Sequence, residues 1–275
     1  MNQLASNTEI QACLRGDRLY GDDFSPEQIA RWYADEKEGY ADLGAKDSST
    51  YKYPYHAMNI AHGFDQLPTE MRFAHAVGFG AAYGEELKPL LSRIDRITIM
   101  DPSDAFVKSD IHGVPATWVK PDPSGRMAFA DASIDLITCF GVLHHIPNVS
   151  FVLREMARVL HPGGFALIRE PVVSMGDWRK PRQGLTRHER GIPLVIFRKM
   201  VADAGFAIIR ERRIVFRPWI LVSAKLGVWP YNSTWSTAMD SALSRFFLWN
   251  NRYHAGGVLD KFRPAAVYAV LQKQP

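Results

Sequence analysis

The sequence predicts an α/β fold in which strands and helices alternate around one largely parallel, doubly wound sheet. The first sign of it is residues 73–84, an apolar run that breaks into glycines and then continues as a helix-like stretch. The second is a series of short apolar runs downstream, spaced as buried strands separated by crossovers. The third is that two of these runs end beside aspartates, Asp101 and Asp122, where such a sheet places the acids that bind ligands.

The glycines of this first corner, Gly78 and Gly80, are predicted to let the backbone come close to a ligand. Glycine adopts positive φ angles at little cost, and the helix that follows the turn points its free N–H groups at the same place. Any tight corner between a strand and a helix also contains glycine, so this stretch alone fits an ordinary turn as well as a cofactor site. The order of the strands that follow is what favours the cofactor site.

Six more strands are predicted after this corner, each an apolar run of strand length. They cover residues 96–100, 114–119, 135–140, 164–169, 206–216 and 265–271. Helices are predicted over residues 25–39, where Ser25 is a typical N-cap and Pro26 fits the first turn, and over residues 192–204.

Five stretches in the middle third of the chain resemble a known family. They are residues 77–80, 99–101, 129–136, 140–147, which contains a Leu-His-His sequence, and 158–165, which contains a Pro-Gly-Gly turn. The resemblance is to class I S-adenosylmethionine-dependent methyltransferases, in particular to their ubiquinone-biosynthesis-like branch. It implies a Rossmann-like seven-stranded sheet whose last strand is antiparallel. The implied organisation is an N-terminal helical lid over residues 1–70, a cofactor-binding core over 71–216, a helical and aromatic substrate cap over 217–263 and a final core strand over 264–275.

The resemblance also implies S-adenosylmethionine as the cofactor. In the family the acid after the second strand binds the ribose, which corresponds to Asp101, and a later acid lies near the adenine amino group, which corresponds to Asp122. One position departs from the pattern: an acid usually stands two residues before the first glycine, and this chain has Ala76 there, next to His75. The sequence therefore leaves open how the methionine ammonium is held. The expected cofactor-binding residues are Gly78, Gly80, Asp101, Pro102, Asp122, Phe140 and Gly141.

Methyl transfer needs an oriented acceptor and, for a hydroxyl acceptor, a group that removes its proton. His144 and His145 follow the fourth predicted strand at the mouth of the cofactor cleft, and an imidazole titrates near neutral pH. We expect His144 to be the base and His145 to pack under the cofactor, with Glu170 and His56 as the other candidates. The remaining histidines lack the spacing of metal ligands, so no metal site is expected.

Two later segments are predicted to face the acceptor. Residues 170–191 form a basic, turn-rich loop that should lie over the strand ends, and residues 217–263 carry many aromatic side chains. A solvated loop and a small aromatic core explain the two segments as well. If they do face the acceptor, Arg179 and Arg182 suit an anionic group, with Trp178 and Tyr55 as further contacts. The acceptor is then a sugar, a glycan precursor or an anionic metabolite, methylated on oxygen.

Composition argues against several other classes. The formal net charge is only +4 in 275 residues, and the loop basic residues do not track along a face, so a nucleic-acid partner is not expected. The chain starts without a signal-peptide pattern and has no apolar stretch of bilayer-spanning length, so a soluble protein without a transmembrane segment is expected. Cys13 and Cys139 lie far apart, which disfavours a disulfide framework and fits the cytoplasm.

Two other functions stay open, and the oligomeric state is not indicated. A nicotinamide-dependent oxidoreductase shares the glycine corner and the following acid, although the spacing from Gly78 to Gly84 is not that of a dinucleotide fingerprint. A non-catalytic relative that still binds the cofactor would fit the missing acid at Ala76.

Overall fold

The computed structural model describes residues 7–41, 51–178, 180, 182 and 184–275. Within them, the α-helices are α1 (Asn7–Arg15), α2 (Pro26–Ala41), α3 (His56–His62), α4 (Val149–Val159), α5 (Leu194–Asp203), α6 (Arg217–Lys225) and α7 (Thr234–Phe246). The strands are β1 (Ala76–Phe79), β2 (Ile97–Met100), β3 (Asp110–Ile111), β4 (Val114–Val119), β5 (Ile134–Phe140), β6 (Leu160–Pro171), β7 (Phe206–Phe216) and β8 (Pro264–Lys273).

The strands form one sheet in the order β3-β4-β2-β1-β5-β6-β8-β7. β1 pairs in parallel with β2 on one side and with β5 on the other, and β5 pairs in parallel with β6. β8 runs antiparallel to both β6 and β7. The doubly wound sheet with an antiparallel last strand is therefore confirmed. The strand beyond the seven expected is β3, which has two residues and is too short to stand out as an apolar run.

Both faces of the sheet are buried, which explains why its central strands read as nearly continuous apolar runs. Along β8, Val267 and Ala269 pack into the cluster that contains α4 and α5. Their neighbours Ala266, Tyr268 and Val270 point the other way and pack into a second cluster. Both faces of the sheet are therefore covered.

The glycine corner leads into a tighter helix than the sequence predicts. The stretch Glu85–Arg93 is a 3-10 helix that contains Pro89, and proline removes a hydrogen-bond donor that an α-helix needs. The segment between β7 and β8 contains α6 and α7, in line with the helical insertion expected there. Among the described residues no helix is both long and apolar enough to cross a membrane.

The strand order decides which side chains meet at the carboxyl edge of the sheet. Asp101 follows β2 and residues 141–147 follow β5, so the two groups lie on opposite sides of β1. Helix α2 packs over this edge, and its Trp32 donates a hydrogen bond from Nε1 to the carbonyl oxygen of His145 at 2.7 Å. The N-terminal part of the chain thus covers the place where open α/β sheets bind ligands.

Candidate active site

A cavity of about 270 Å³ opens at the carboxyl ends of β1, β2, β4 and β5. Its wall is formed by the turns that follow these strands and by one face of α2. Five of the seven residues that the sequence predicts for cofactor binding lie on this wall, namely Gly80, Asp101, Pro102, Asp122 and Gly141.

Asp101 is held in a fixed orientation at the end of β2. Its Oδ2 accepts a hydrogen bond from the backbone N–H of Ala82, and its Oδ1 accepts one from that of Ser103, each at 3.0 Å. The residue is only 8% exposed, and burial raises the pKa of the carboxyl although the two N–H groups act in the opposite direction. A carboxylate fixed in this way has lone pairs left to accept hydrogen bonds from ligand hydroxyl groups.

The two glycines of the first corner have different roles. Gly80 has a φ of +67°, and a Cβ there would lie 2.5 Å from Cγ2 of Val142, so the turn has no room for a side chain. Gly78 does not have a positive φ; it lies inside β1, where a Cβ would lie 2.7 Å from the Cβ of Ala81. The expected positive φ at Gly78 is therefore wrong. This glycine allows close packing behind the turn and does not reach the cavity wall.

Phe140 also lies behind the wall. Its ring is 5.4 Å from the ring of Tyr268 and 5.3 Å from the guanidinium carbon of Arg169. Asp122, in contrast, is an exposed wall residue whose Oδ1 accepts a hydrogen bond from the backbone N–H of Ser124 at 2.8 Å. Its hydrogen bonds to Ser124 lower the pKa of the carboxyl, so it is ionised at neutral pH.

Glu170 organises the turn after β5 and is fully buried at the end of β6. Its Oε1 accepts hydrogen bonds from the backbone N–H groups of Val142 and Leu143, both at 2.8 Å. Its Oε2 lies 2.7 Å from Nδ1 of His144. Since both oxygens are engaged in this turn, the geometry gives Glu170 a positioning role and takes it away from any acceptor.

His144 is enclosed between two carboxylates. Its Nδ1 contacts Glu170, and its Nε2 lies 3.3 Å from Oε1 of Glu189. Burial alone would lower the pKa of His144, but the hydrogen bonds and charges of Glu170 and Glu189 raise it to about 9. The ring therefore holds its proton at neutral pH, and it does not lie on the cavity wall. Both facts speak against His144 as the residue that accepts a proton from an acceptor.

His145 lies on the wall and has the opposite protonation preference. Its Nδ1 lies 2.9 Å from Oε2 of Glu36 and 3.2 Å from the hydroxyl of Thr186. Burial and the neighbouring His144 lower the pKa of His145. Burial would raise the pKa of Glu36, but its hydrogen bonds to His145, Thr186 and His188 lower it overall. A neutral imidazole oriented by an ionised carboxylate is the usual arrangement of a general base.

His144, His145 and Glu189 also lie close enough together to hold a metal ion, with one ligand atom of each within 4.8 Å of the others. Sequence spacing does not reveal such a cluster, because Glu189 is 45 residues away from His144. In this structure the three side chains contact one another, and Nε2 of His145 lies 3.4 Å from the Glu189 oxygen that His144 also contacts. They form a network of hydrogen bonds and ion pairs.

Arg190 joins three separate parts of the chain beneath this network. It is 1% exposed and donates hydrogen bonds to the carbonyl oxygens of Tyr20, His144 and Ile146 at 2.8–2.9 Å. Its burial lowers the pKa of the guanidinium to about 10, so it stays charged at neutral pH. In the sequence this residue looks like one more cation of a basic loop. In the structure it holds the turn after β5 in place.

The other acceptor-binding candidate in this loop, Arg182, is engaged with the loop itself. Its guanidinium donates to the carbonyl oxygens of Met175 at 3.3 Å and Thr186 at 3.1 Å, among others. Both terminal nitrogens of Arg182 therefore hold the loop together. Arg179 lies outside the described residues.

Three further candidates lie away from the cavity wall. Trp178 is 6% exposed and packs with its ring centroid 5.0 Å from that of Tyr20. Tyr55 lies under the guanidinium of Arg169, 3.9 Å from the ring centroid, and His56 packs against Tyr53 at 5.0 Å. These residues contribute to the packing of the N-terminal segment, and none of the three lines the cavity.

Helix α2 contributes wall residues that sequence reasoning missed. Trp32, Tyr33 and Glu36 all line the cavity. Trp32 and Glu36 are four residues apart, which places them on one face of a helix, and this spacing was visible in the sequence. What the spacing does not reveal is that this face lies against the turn after β5.

The structure also shows the surroundings of Ala76, the position where the family usually has an acid. Ala76 is 0% exposed within β1, and His75 lies 2.8 Å from the hydroxyl of Thr98. A buried acid does approach the same strand from another direction, because Glu86 accepts a hydrogen bond from Thr138, and Thr138 is the β5 partner of Gly78. Glu86 does not reach the cavity wall.

Residues 77–168 match the family described as "Methyltransferase domain". This range runs from β1 into β6 and includes the turns that carry Gly80, Asp101 and Gly141 to the cavity. The chain therefore contains a methyltransferase domain over residues 77–168.

Individual relatives are similar to this chain over different shares of its length. One stretch of 52 residues is 31% identical to the ubiquinone biosynthesis O-methyltransferase of Proteus mirabilis, and it covers 19% of this chain and 21% of that protein. The match thus spans about a fifth of the length of this relative. Among solved structures, N-methyltransferase NodS from Bradyrhizobium japonicum has a TM-score of 0.54 at 13% identity and covers 88% of this chain and 100% of its own. An S-adenosylmethionine-dependent methyltransferase from Mesorhizobium loti has a TM-score of 0.51 at 16% identity, covering 76% and 95%. At these identities the two structures establish the methyltransferase fold alone.

Proposed function

We propose that this chain transfers the methyl group of S-adenosylmethionine to a hydroxyl group of a small-molecule acceptor. The observation that carries the proposal is the composition of one cavity wall. Asp101 lies on the β2 side of β1, and His145, oriented by Glu36, lies on the β5 side. A ribose-binding acid and a general base on one cavity are the two groups that an O-methyltransferase of this fold needs.

S-adenosylmethionine is the cofactor of the methyltransferase domain, and the strand order suggests how it lies. Asp101 would accept hydrogen bonds from its ribose hydroxyls, and Asp122, which follows the next strand outwards, β4, would bind its adenine. The turn at Gly80 would hold its methionine part. The methyl group that it supplies would be transferred beside Gly141 and His145 on the β5 side.

The sulfonium ion already activates the methyl group, so the protein has to align the acceptor oxygen with the S–CH₃ bond and remove its proton. In our proposal the imidazole of His145 accepts that proton. The Glu36 carboxylate at its Nδ1 then stabilises the imidazolium, as the acid of a catalytic triad does. His144 and Glu170 keep the turn in place and do not contact the acceptor.

Among the acceptor classes that the sequence predicts, a neutral sugar or glycan precursor fits the site better than an anionic metabolite. Glu36 and Glu189 place negative charge beside His145, and Arg182 uses its donors on its own loop. The half-buried ring of Tyr33 gives this end of the cavity a flat apolar surface, on which a sugar ring can stack. We also propose that the protein acts in the cytoplasm, because Cys13 and Cys139 are both free thiols.

Two measurements test this function. Calorimetric titration of the full chain with S-adenosylhomocysteine and with NAD compares the two cofactor classes directly, and we expect heat of binding from the first alone. Release of S-adenosylhomocysteine from S-adenosylmethionine is then followed with panels of sugar, phenol and carboxylate acceptors. Preferential binding of NAD would overturn the cofactor assignment. Tight binding of S-adenosylhomocysteine without turnover on any panel would favour a non-catalytic relative.

A further inference from the structure

Helix α7 buries polar side chains and exposes apolar ones, which is the reverse of an ordinary surface helix. The side chains that it buries are all polar, namely Ser236, Thr237, Asp240 and Ser244, none of them more than 2% exposed. The large side chains that it exposes are apolar, namely Trp235 at 54%, Met239 at 43% and Phe246 at 73%. Together with the exposed Ala242, these residues follow the spacing of a single stripe along one helix face.

The buried polar face has a structural explanation. The carboxylate of Asp240 accepts hydrogen bonds from the backbone N–H groups of Val215 and Phe216 at 2.9 and 2.8 Å, where β7 passes into α6. It also accepts one from the hydroxyl of Tyr231 at 3.3 Å. Helix α7 is therefore fixed to the domain by hydrogen bonds. Its apolar stripe is not needed to hold the helix in place.

Helix α6 repeats this pattern and extends the stripe. It buries Ser223 completely while Leu221 is 68% exposed. At one end of α7, the ring of Trp235 lies 5.8 Å from that of Trp219 on α6. At the other end, Phe246 lies 5.1 Å from Phe247, whose ring is 6.2 Å from that of Trp249. Ring contacts at both ends thus join the stripe of α7 to the neighbouring aromatic residues.

These side chains dominate the exposed apolar surface of the described chain. Of the 17 large hydrophobic residues that are exposed in the described chain, 12 lie between residues 217 and 263. We call the surface formed by these 12 residues the apolar cap face. Among them Trp249 is 73% exposed and Leu259 is 81% exposed. Monomeric soluble proteins rarely leave apolar side chains concentrated in this way, so a partner surface is implied.

The charge of the same segment indicates which partner. Residues 217–263 contain six Lys and Arg and two Asp, so their formal charge of +4 equals that of the whole chain. Both acids already have partners. Asp240 accepts the hydrogen bonds described above, and Asp260 accepts one from Arg252 at 3.0 Å. Exposed cations stand next to exposed apolar residues along the sequence, as in Lys225-Leu226 and Arg245-Phe246. Aromatic and aliphatic side chains interleaved with cations are typical of surfaces that bind anionic bilayers.

We propose that the apolar cap face docks on the surface of an anionic lipid bilayer. The indoles and other apolar side chains enter the boundary between headgroups and acyl chains, and the flanking Lys and Arg side chains pair with lipid phosphates. The protein then lies on the membrane without spanning it. This inference does not depend on the proposed methyl transfer.

Flotation of the full chain with vesicles tests the proposal. Vesicles of phosphatidylcholine alone are compared with vesicles that also contain phosphatidylglycerol. We expect at least about tenfold stronger partition onto the anionic vesicles, weakened by added salt because the phosphate contacts are screened. A double variant, Trp235→Ser with Phe246→Ser, should lower this partition by about tenfold or more, since it removes two large exposed apolar groups. A second double variant, Arg245→Gln with Lys261→Gln, should lower binding to the anionic vesicles alone.

The matched control replaces exposed apolar residues elsewhere, Val195→Ser with Ile209→Ser, which are 77% and 50% exposed. It should bind vesicles as the unaltered chain does. Thermal unfolding and titration with S-adenosylhomocysteine check that each variant keeps its fold. The proposal fails if the chain does not float with anionic vesicles, or if the control and the Trp235/Phe246 variant lose binding equally. It also fails if the chain ignores vesicles but forms a dimer in sedimentation that the Trp235/Phe246 variant abolishes, a result that would assign the face to a second copy.

Discussion

A single carboxylate oxygen of Glu170 holds both the ring and the backbone of His144. Its Oε2 lies 2.7 Å from the ring Nδ1 and 3.3 Å from the backbone nitrogen. The second oxygen binds the two preceding backbone N–H groups. The turn that brings His145 to the cavity therefore depends on one buried acid from the neighbouring strand β6.

Replacing this acid should destabilise the protein. In Glu170→Gln an NH₂ group would face the N–H donors of His144, and the protonated ring would lose its buried partner. We expect the free energy of unfolding in urea to fall by about 3–5 kcal/mol. The control Asp104→Asn removes an exposed partner of Lys120 and should change it by less than about 1 kcal/mol. Equal stabilities for Glu170→Gln and the control would show that the turn does not depend on Glu170.

Substitution of the two adjacent histidines should separate catalysis from stability. His145→Ala should lower kcat by roughly a hundredfold or more and leave the affinity for S-adenosylhomocysteine nearly unchanged, because it removes the base. His144→Ala should mainly lower the melting temperature, because it leaves Glu170 and Glu189 without their shared partner. Because burial lowers the pKa of His145, kcat of the unaltered chain should fall only below pH 6.5, as the ring becomes protonated. A full kcat in His145→Ala would return the role to His144 or show that no base is needed.

Loss of the Asp101 carboxylate should weaken cofactor binding. Asp101→Ala removes a charged acceptor for the ribose hydroxyls and leaves the N–H groups of Ala82 and Ser103 without their partner. We expect the affinity for S-adenosylhomocysteine to fall by about 1.5–3 kcal/mol in a calorimetric titration. Asp104→Ala, three residues further along and exposed, serves as the control. An unchanged affinity in Asp101→Ala would rule out its contact with the ribose.

The buried carboxyl of Glu86 should make stability depend on pH. Burial raises the pKa of this group from 4.5 in the unfolded chain to about 7. The folded state then binds the proton more tightly than the unfolded state, so this group lowers stability progressively as the pH rises from 4.5 to 7. Glu86→Gln keeps an acceptor for Thr138 and should be more stable than the unaltered chain at pH 8, by roughly 3 kcal/mol at most. The difference should be much smaller at pH 5. Urea unfolding at both pH values checks this, and a pH-independent difference would contradict it.

Two glycines outside the cofactor turn provide a steric test. A Cβ on Gly191 would lie 1.9 Å from the carbonyl oxygen of Val173, whereas a Cβ on Gly257 would meet nothing within 4 Å. Gly191→Ala should therefore cost about 3 kcal/mol or more in the free energy of unfolding, because backbone has to move. Gly257→Ala should be nearly neutral. Similar stabilities for the two variants would show that the chain around Gly191 relaxes easily.

The sequence by itself determined the sheet and the part of the cavity wall that the turns after its strands form. Strands buried on both faces are continuous apolar runs, and the turns that follow them are local, so the positions of Gly80, Asp101 and Gly141 can be read from the order of the runs. The motifs that indicate the methyltransferase family are likewise contiguous in the sequence. The exception within these motifs is Gly78, whose role depends on the packing of Ala81 and Ile99 around it.

Only the tertiary structure decided which histidine lies on the cavity wall and which apolar surface is left uncovered. His144 and His145 are adjacent in sequence, and burial acts to lower the pKa of both. Glu170 and Glu189, which come from distant elements, reverse this effect for His144, whereas burial and the charge of His144 keep the pKa of His145 low. For α7, the sequence alone would predict that the apolar stripe faces the core. Asp240 anchors the opposite face through hydrogen bonds from the last two residues of β7. Electrostatic environment and burial depend on contacts between residues far apart in the chain, and local sequence patterns contain no information about those contacts.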